Sequence, residues 1–141
     1  MMLVVDASVA AMWYLPEAHT PTAMRLVGSD YDLVAPDVLA MEVASAILKA
    51  LRRKLITSEQ ADEAIELLLT APVRLLPSAK HVEPAFTNAR RYGGSLYDSV
   101  YLDLAHTLQC PVVTNDHSLA QVAKKTGVRG ILISAGLPPP R

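Results

Sequence analysis

The sequence predicts an α/β fold, a three-layer α/β/α sandwich around a central, mainly parallel sheet. Three observations carry this. Short apolar runs alternate along the chain with segments patterned at helical spacing, the signature of strand–helix–strand units that cover both faces of a sheet. The runs are short, mostly Val, Leu or Ile, and bounded by Pro, Gly or Asp, as buried strands are. The 141 residues are 51% hydrophobic and 19% charged, enough to bury one real core and incompatible with a disordered chain.

In order, the strands are expected at 3–5, 33–35, 73–76, 112–114 and 131–133. Helices are expected near 7–14, 20–28, 38–53, 58–70, 80–92, 96–108 and 117–126. Gly93-Gly94 reads as a helix stop. Residues 1–134 form a single domain in this reading. The tail 135–141, with its run Pro138-Pro139-Pro140, is expected to hang loose, because proline extends neither helix nor strand.

No uncharged stretch approaches the roughly 18 residues of a membrane span, and the apolar start lacks a basic leader. Cys110 is the only cysteine, so no internal disulfide can form. It reads as a small buried residue in a reducing, cytoplasmic protein. A net charge of −1 argues against gripping nucleic acid over the whole surface, while leaving room for a local basic rim.

Four acids stand where such a fold opens a crevice. Asp6 ends the first strand run, Glu42 lies in the helix 38–53, Asp98 opens the helix 96–108, and Asp116 follows the run Val112-Val113-Thr114. Residues just past the strand ends of a parallel sheet share one crevice. Carboxylates gathered there repel unless a cation holds them, and hard divalent ions such as Mg²⁺ or Mn²⁺ prefer oxygen ligands. Each acid also has a local reading. Asp6 and Asp116 precede helices and suit N-caps, Ser95-Leu96-Tyr97-Asp98 matches a capping box, and Glu42 lies on a polar stripe. On the helical wheel Asp98 shares a face with Leu102 and Ala105 and points inward. Asp103 falls with Ser99, His106 and Thr107 on the opposite face and reads as solvated. Ser8, Thr114 and Asn115 place further polar groups beside the acids.

The helix 38–53 carries a polar stripe about 100° wide, made of Glu42, Ser45, Lys49, Arg52 and Arg53. Lys49, Arg52 and Arg53 are the candidate nucleic-acid contacts leading away from the acids, with Lys54, Arg90, Arg91, Lys124 and Lys125 as further cations. Trp13, Tyr92 and Tyr97 are candidates to stack on bases. The rest of the helix is apolar, more than one sheet contact needs. Part of that surface, with the helix 58–70, is expected to form a subunit interface. The four histidines, His19, His81, His106 and His117, lack metal-ligand spacing.

The segments Val4-Val5-Asp6-Ala7-Ser8-Val9, Leu39-Ala40-Met41-Glu42-Val43-Ala44, Leu96-Tyr97-Asp98-Ser99-Val100-Tyr101-Leu102-Asp103-Leu104-Ala105 and Val113-Thr114-Asn115-Asp116 together resemble the four motifs of PIN-domain nucleases. In length and order the chain is similar to VapC-type toxins of toxin–antitoxin pairs. The resemblance spans nearly the whole chain. It implies that Asp6, Glu42, Asp98 and Asp116 are the catalytic, metal-binding acids, supported by Ser8 and Thr114. It implies a Mg²⁺- or Mn²⁺-dependent endoribonuclease, a homodimer, and a cognate antitoxin that occupies the site. Asp103 departs from the pattern, where a small or apolar residue is usual. The alternative is a non-catalytic PIN-like module that binds RNA or protein. A phospho-accepting receiver domain is disfavoured, since no Lys follows Ile131-Leu132-Ile133-Ser134 and Asp6 lacks an adjacent acid. A D-x-D phosphatase is disfavoured because Ser8 stands at the second position.

Overall fold

The computed structural model describes residues 1–28 and 31–140. Five strands, β1 (Met2–Val5), β2 (Asp32–Pro36), β3 (Arg74–Leu76), β4 (Val112–Thr114) and β5 (Gly130–Leu132), form one sheet in the order β3-β2-β1-β4-β5. Every neighbouring pair is parallel, in the register Val4↔Val34, Val5↔Val113, Val113↔Ile131 and Ala35↔Leu75. The central strands have to be apolar on both faces, because helices cover both. Leu3, Val4, Val5, Val34, Ala35, Val112 and Val113 are accordingly buried.

Seven α-helices join the strands: α1 (Ala7–Ala10), α2 (Thr20–Met24), α3 (Val38–Arg52), α4 (Ser58–Leu68), α5 (Val82–Tyr92), α6 (Leu96–Leu108) and α7 (His117–Thr126). Right-handed crossovers put the helices linking β1, β2 and β3 on one face and those linking β3, β4 and β5 on the other. The contacts agree: α3 packs on α1 and α4, whereas α5 packs on α6 and α7. The strand order reverses between β1 and β4, so the crevice at the carboxyl ends of the strands lies there.

The elements differ from the sequence expectation mainly at their ends. The first helix tightens into a 3₁₀ turn over Ala11–Trp13, and a second such turn, Ala79–His81, precedes α5. The helix expected over 20–28 stops at Met24, and Gly28 sits at φ 70°. Residues 29 and 30 lie outside the described residues. The last strand ends at Leu132, after which Ile133–Ala135 turns as a 3₁₀ helix. Beyond it the chain stays attached: Leu137 packs against the core, and the Tyr31 hydroxyl donates to the Pro138 carbonyl.

One expectation is corrected. Asp103 is not simply solvated on an outward face. It accepts a 2.6 Å hydrogen bond from His81 Nδ1, and its side chain is only 14% exposed. Ser99, one turn earlier on the same face, is buried. The helix α5 and the turn before it cover this side of α6, which a helical wheel of α6 alone cannot show. Cys110 is half-buried at the core edge. No helix among the described residues is long and apolar enough to cross a membrane.

Candidate active site

Asp6 follows β1 directly, and its amide still bonds to the Val113 carbonyl at 3.0 Å. Its side chain is buried, 6% exposed, and does not cap α1. Its Oδ2 instead accepts two hydroxyls, from Ser8 at 2.6 Å and from Thr114 at 2.8 Å. Those hydroxyls are themselves held: Ser8 Oγ accepts from the Asn115 amide and Thr114 Oγ1 from the Asp116 amide, both at 2.9 Å. The network therefore locks the loop after β4 onto the end of β1. Asn115 enters through its backbone N–H, and no hydrogen bond from its side chain is seen among the described residues.

The other three acids are brought to this point from three directions. Glu42 comes from α3, on one face of the sheet. Its Oε1 accepts the Tyr101 hydroxyl at 2.8 Å. Asp98 comes from the first turn of α6, on the opposite face, where Ser95 Oγ accepts the Asp98 amide at 3.0 Å. Gly94, at φ 81°, leads the chain past the Asp98 carboxylate. Asp116 caps α7, its Oδ1 accepting the amides of Ser118 at 2.8 Å and Leu119 at 3.4 Å. That cap satisfies orphan donors of the helix. The local reading thus holds for Asp116 and fails for Asp6.

The electrostatics tie the four together. Burial pushes the Asp6 carboxyl above the usual carboxylate range; the Ser8 and Thr114 hydroxyls oppose this, and the Asp116 charge adds to it. Asp98 is raised first by burial, then by the charges of Asp6 and Asp116. Glu42 is raised by burial, against the Tyr101 hydrogen bond, and further by Asp6 and Asp98. Such repulsion among separate carboxylates requires that they stand near one another. Among the described residues none of the four forms an ion pair with Lys, Arg or His.

All the donors are oxygens, the set a hard divalent ion prefers. The side chains do not close into a finished cage: among the described residues no three Asp, Glu, His or Cys groups stand at ion-binding spacing. Asp6, Glu42 and Asp116 are each engaged by donors of their own. This arrangement suits Mg²⁺ or an ion like it, which keeps several waters and takes one or two carboxylates together with substrate phosphates.

A cavity of about 490 Å³ opens beside Glu42 and is lined by Val38, Met41, Ser45 and Tyr97. Tyr97 is exposed there. Trp13 is occupied elsewhere, its Nε1 donating to the Ala23 carbonyl at 2.9 Å. Tyr92 is half-buried with the Arg91 guanidinium 5.2 Å over its ring. Lys49, Arg52 and Arg53 are exposed. At the helical rise, Lys49 and Arg52 lie about 10 and 15 Å along α3 from Glu42. Sequence reading missed Tyr101 as the partner of Glu42. Its signal was the i+3 spacing from Asp98, which puts both on one side of α6.

Comparison with known proteins identifies the family and the fold. Ribonuclease VapC3 of Pyrobaculum aerophilum is 33% identical over 123 residues, covering 86% of this chain and 94% of that protein. Ribonuclease VapC12 of Mycobacterium tuberculosis is 33% identical over 121 residues, covering 85% and 91%. In fold the chain is similar to the crystal structure of PAE2754 from Pyrobaculum aerophilum, with a TM-score of 0.69 at 19% identity over 96% of this chain and 91% of that one. The family model for the PIN domain matches residues 3–125, and the chain belongs to the PIN domain family.

Proposed function

We propose that the protein is a divalent-metal-dependent endoribonuclease, the toxin of a toxin–antitoxin pair. The observation that carries this is the gathering of four acids, none of them ion-paired among the described residues, at the switch point of the sheet. The relatives named as ribonucleases support RNA as the substrate. The non-catalytic reading is not favoured, because a binding module has no use for four buried or half-buried acids that destabilise one another.

Asp6, Asp98 and Asp116 hold the ion, Mg²⁺ or Mn²⁺, with Glu42 as a further ligand or as the base. When bound, the cation supplies Lewis acidity, polarising the phosphate and easing ionisation of water near neutral pH. Glu42 is placed to take the proton of the attacking water: Tyr101 engages one of its oxygens and leaves the other free. Water attacks phosphorus in line, the bond to the 3′-oxygen breaks, and that oxygen leaves with the bonding pair and takes a proton from solvent to become a hydroxyl. Ser8 and Thr114 favour the ionised form of Asp6 by donating to it, against the effect of burial. The products carry 5′-phosphate and 3′-hydroxyl ends.

The exposed apolar side chains Met41 (75%) and Leu48 (44%) on α3, with Leu67 (53%) on α4 and Leu69 (78%) just after it, support a protein-covered face. We assign it to a homodimer, with the cognate antitoxin covering the acidic crevice. A light-scattering mass of one chain at micromolar concentration contradicts the dimer. A lone Cys110 suits a reducing cytoplasm. The deciding experiment for the chemistry is incubation with total cellular RNA, with Mn²⁺ and with excess chelator, followed by end mapping. Cleavage only with metal and 5′-phosphate ends support the reading; 2′,3′-cyclic phosphate ends or metal-independent cutting overturn it.

A further inference from the structure

A second cavity, of about 570 Å³, lies where α7 meets β5 and the C-terminal segment. Its lining includes Lys124 and Arg129, with His117 and Gln121 beside them, and no carboxylate lines it. Among the described residues neither Lys124 nor Arg129 takes part in an ion pair. His117, Gln121 and Lys124 follow one another at i, i+4 and i+7, so they form one stripe of α7. The opposite wall includes Leu137 and Pro138. His117 is the residue after Asp116, so this basic groove begins where the acidic crevice ends.

The juxtaposition has a physical consequence. The acids repel a polyanion, and a bound cation offsets that only at the phosphate it touches. A strand threaded through the crevice needs positive charge next to it, and unpaired cations that no acid neutralises supply the most. The stripe from His117 to Lys124 spans about 10 Å of helix axis, the rise of about three stacked nucleotides at about 3.4 Å each. We propose that this groove seats the RNA strand flanking the cut, with Lys124 and Arg129 contacting its phosphates and His117 at the junction with the crevice. The inference rests on the ribonuclease reading of the acids.

The test is RNA binding by the Asp98→Asn protein, which separates binding from cutting. Anisotropy of a labelled single-stranded RNA is followed against salt, with Lys124→Ala/Arg129→Ala added, and with Lys80→Ala/Arg25→Ala as a control pair outside the groove. Losing two phosphate contacts lowers the log–log salt slope by about 1.4, at about 0.7 per contact for single strands. The control pair leaves the slope nearly unchanged. Trimming about three nucleotides from one side of the cut, and not from the other, abolishes the difference between the Lys124/Arg129 variant and its parent. Equal slope loss from both pairs overturns the proposal. So does a difference that survives trimming on both sides, or unchanged RNA binding with loss of poly-glutamate binding, which assigns the groove to an acidic protein segment. Failure of the nuclease reading looks different: the RNA binds with the predicted slopes, and the unsubstituted protein does not cut it.

Discussion

Replacing Thr114 by Val tests how the crevice tolerates its buried charge. The two side chains have nearly the same shape, so the packing of β4 survives while one hydroxyl is lost. Thr114 is fully buried, and its hydroxyl both donates to Asp6 and accepts from the Asp116 amide. A hydrogen bond to a charged group contributes about 1.5–3 kcal/mol, and a typical neutral bond about 1 kcal/mol. Ser8 remains as a donor to the same Asp6 oxygen, so the deficit at neutral pH comes to about 2.5–4 kcal/mol. For a domain of this size that lowers Tm by about 8–12 °C, taking about 3 °C per kcal/mol. The sign of the pH dependence follows from Asp6. Its folded pKa lies above its unfolded one, burial being the main cause, and removing the Thr114 donor raises it further. A raised carboxyl contributes stability below its unfolded pKa and loses it as pH rises through the folded pKa. The variant's deficit is therefore largest at neutral pH and shrinks as pH falls through the raised Asp6 pKa. About 1 kcal/mol persists from the orphaned Asp116 amide. Thermal melts of both proteins without divalent metal, at neutral pH and at the lowest pH at which both stay folded, read this directly. An equal deficit at both pH values, or none at either, refutes the reasoning.

Further outcomes follow from the same geometry. Asp98→Asn abolishes RNA cleavage yet raises the melting temperature of the metal-free protein at neutral pH, because it removes a charge disfavoured by burial and by two neighbours; the gain fades in acid, and wild-type cleavage by this variant sinks the site. Tyr101→Phe removes the hydroxyl that donates to Glu42, so the Glu42 pKa rises and the acid limb of the pH–rate profile moves to higher pH; an unmoved limb rules out Glu42 as the base. Asp103→Ala strips the buried His81 of its Nδ1 partner, leaving a ring whose Nε2 already lacks one among the described residues; it destabilises by about 1–3 kcal/mol in denaturant melts and leaves cleavage unchanged. Mn²⁺ at about a hundredfold over its Kd stabilises the unsubstituted protein by about 2.7 kcal/mol, a rise in Tm that Asp6→Asn abolishes.

What could be read in advance followed local rules. The runs around Val4, Val34 and Val113 announce central strands because such strands are apolar on both faces, and Asp6 and Asp116 stand out because a parallel sheet turns its strand ends into one crevice. The inward direction of Asp98 came from the periodicity of α6 alone. What escaped depends on contacts between elements distant in sequence. Asp103 reads as solvated on its own helix, and only the packing of the turn before α5 against α6 brings His81 to it. The hydroxyl of Tyr101 meets Glu42 from a helix on the other side of the sheet. The helix α2 ends at Met24 although the apolar pattern runs on through Leu26 and Val27; Leu26 is buried, and burial does not require continued helix.

Manganese uptake followed by electron paramagnetic resonance tests the central claim most directly, because free Mn²⁺ gives a signal that bound ion loses. The unsubstituted protein should take up Mn²⁺ at neutral pH, and Asp6→Asn and Asp98→Asn, folded by circular dichroism, should each lose most of that uptake, since one ion depends on acids from separate elements. Uptake undiminished in both folded variants would mean that these carboxylates do not share an ion, and the nuclease mechanism built on them would be wrong.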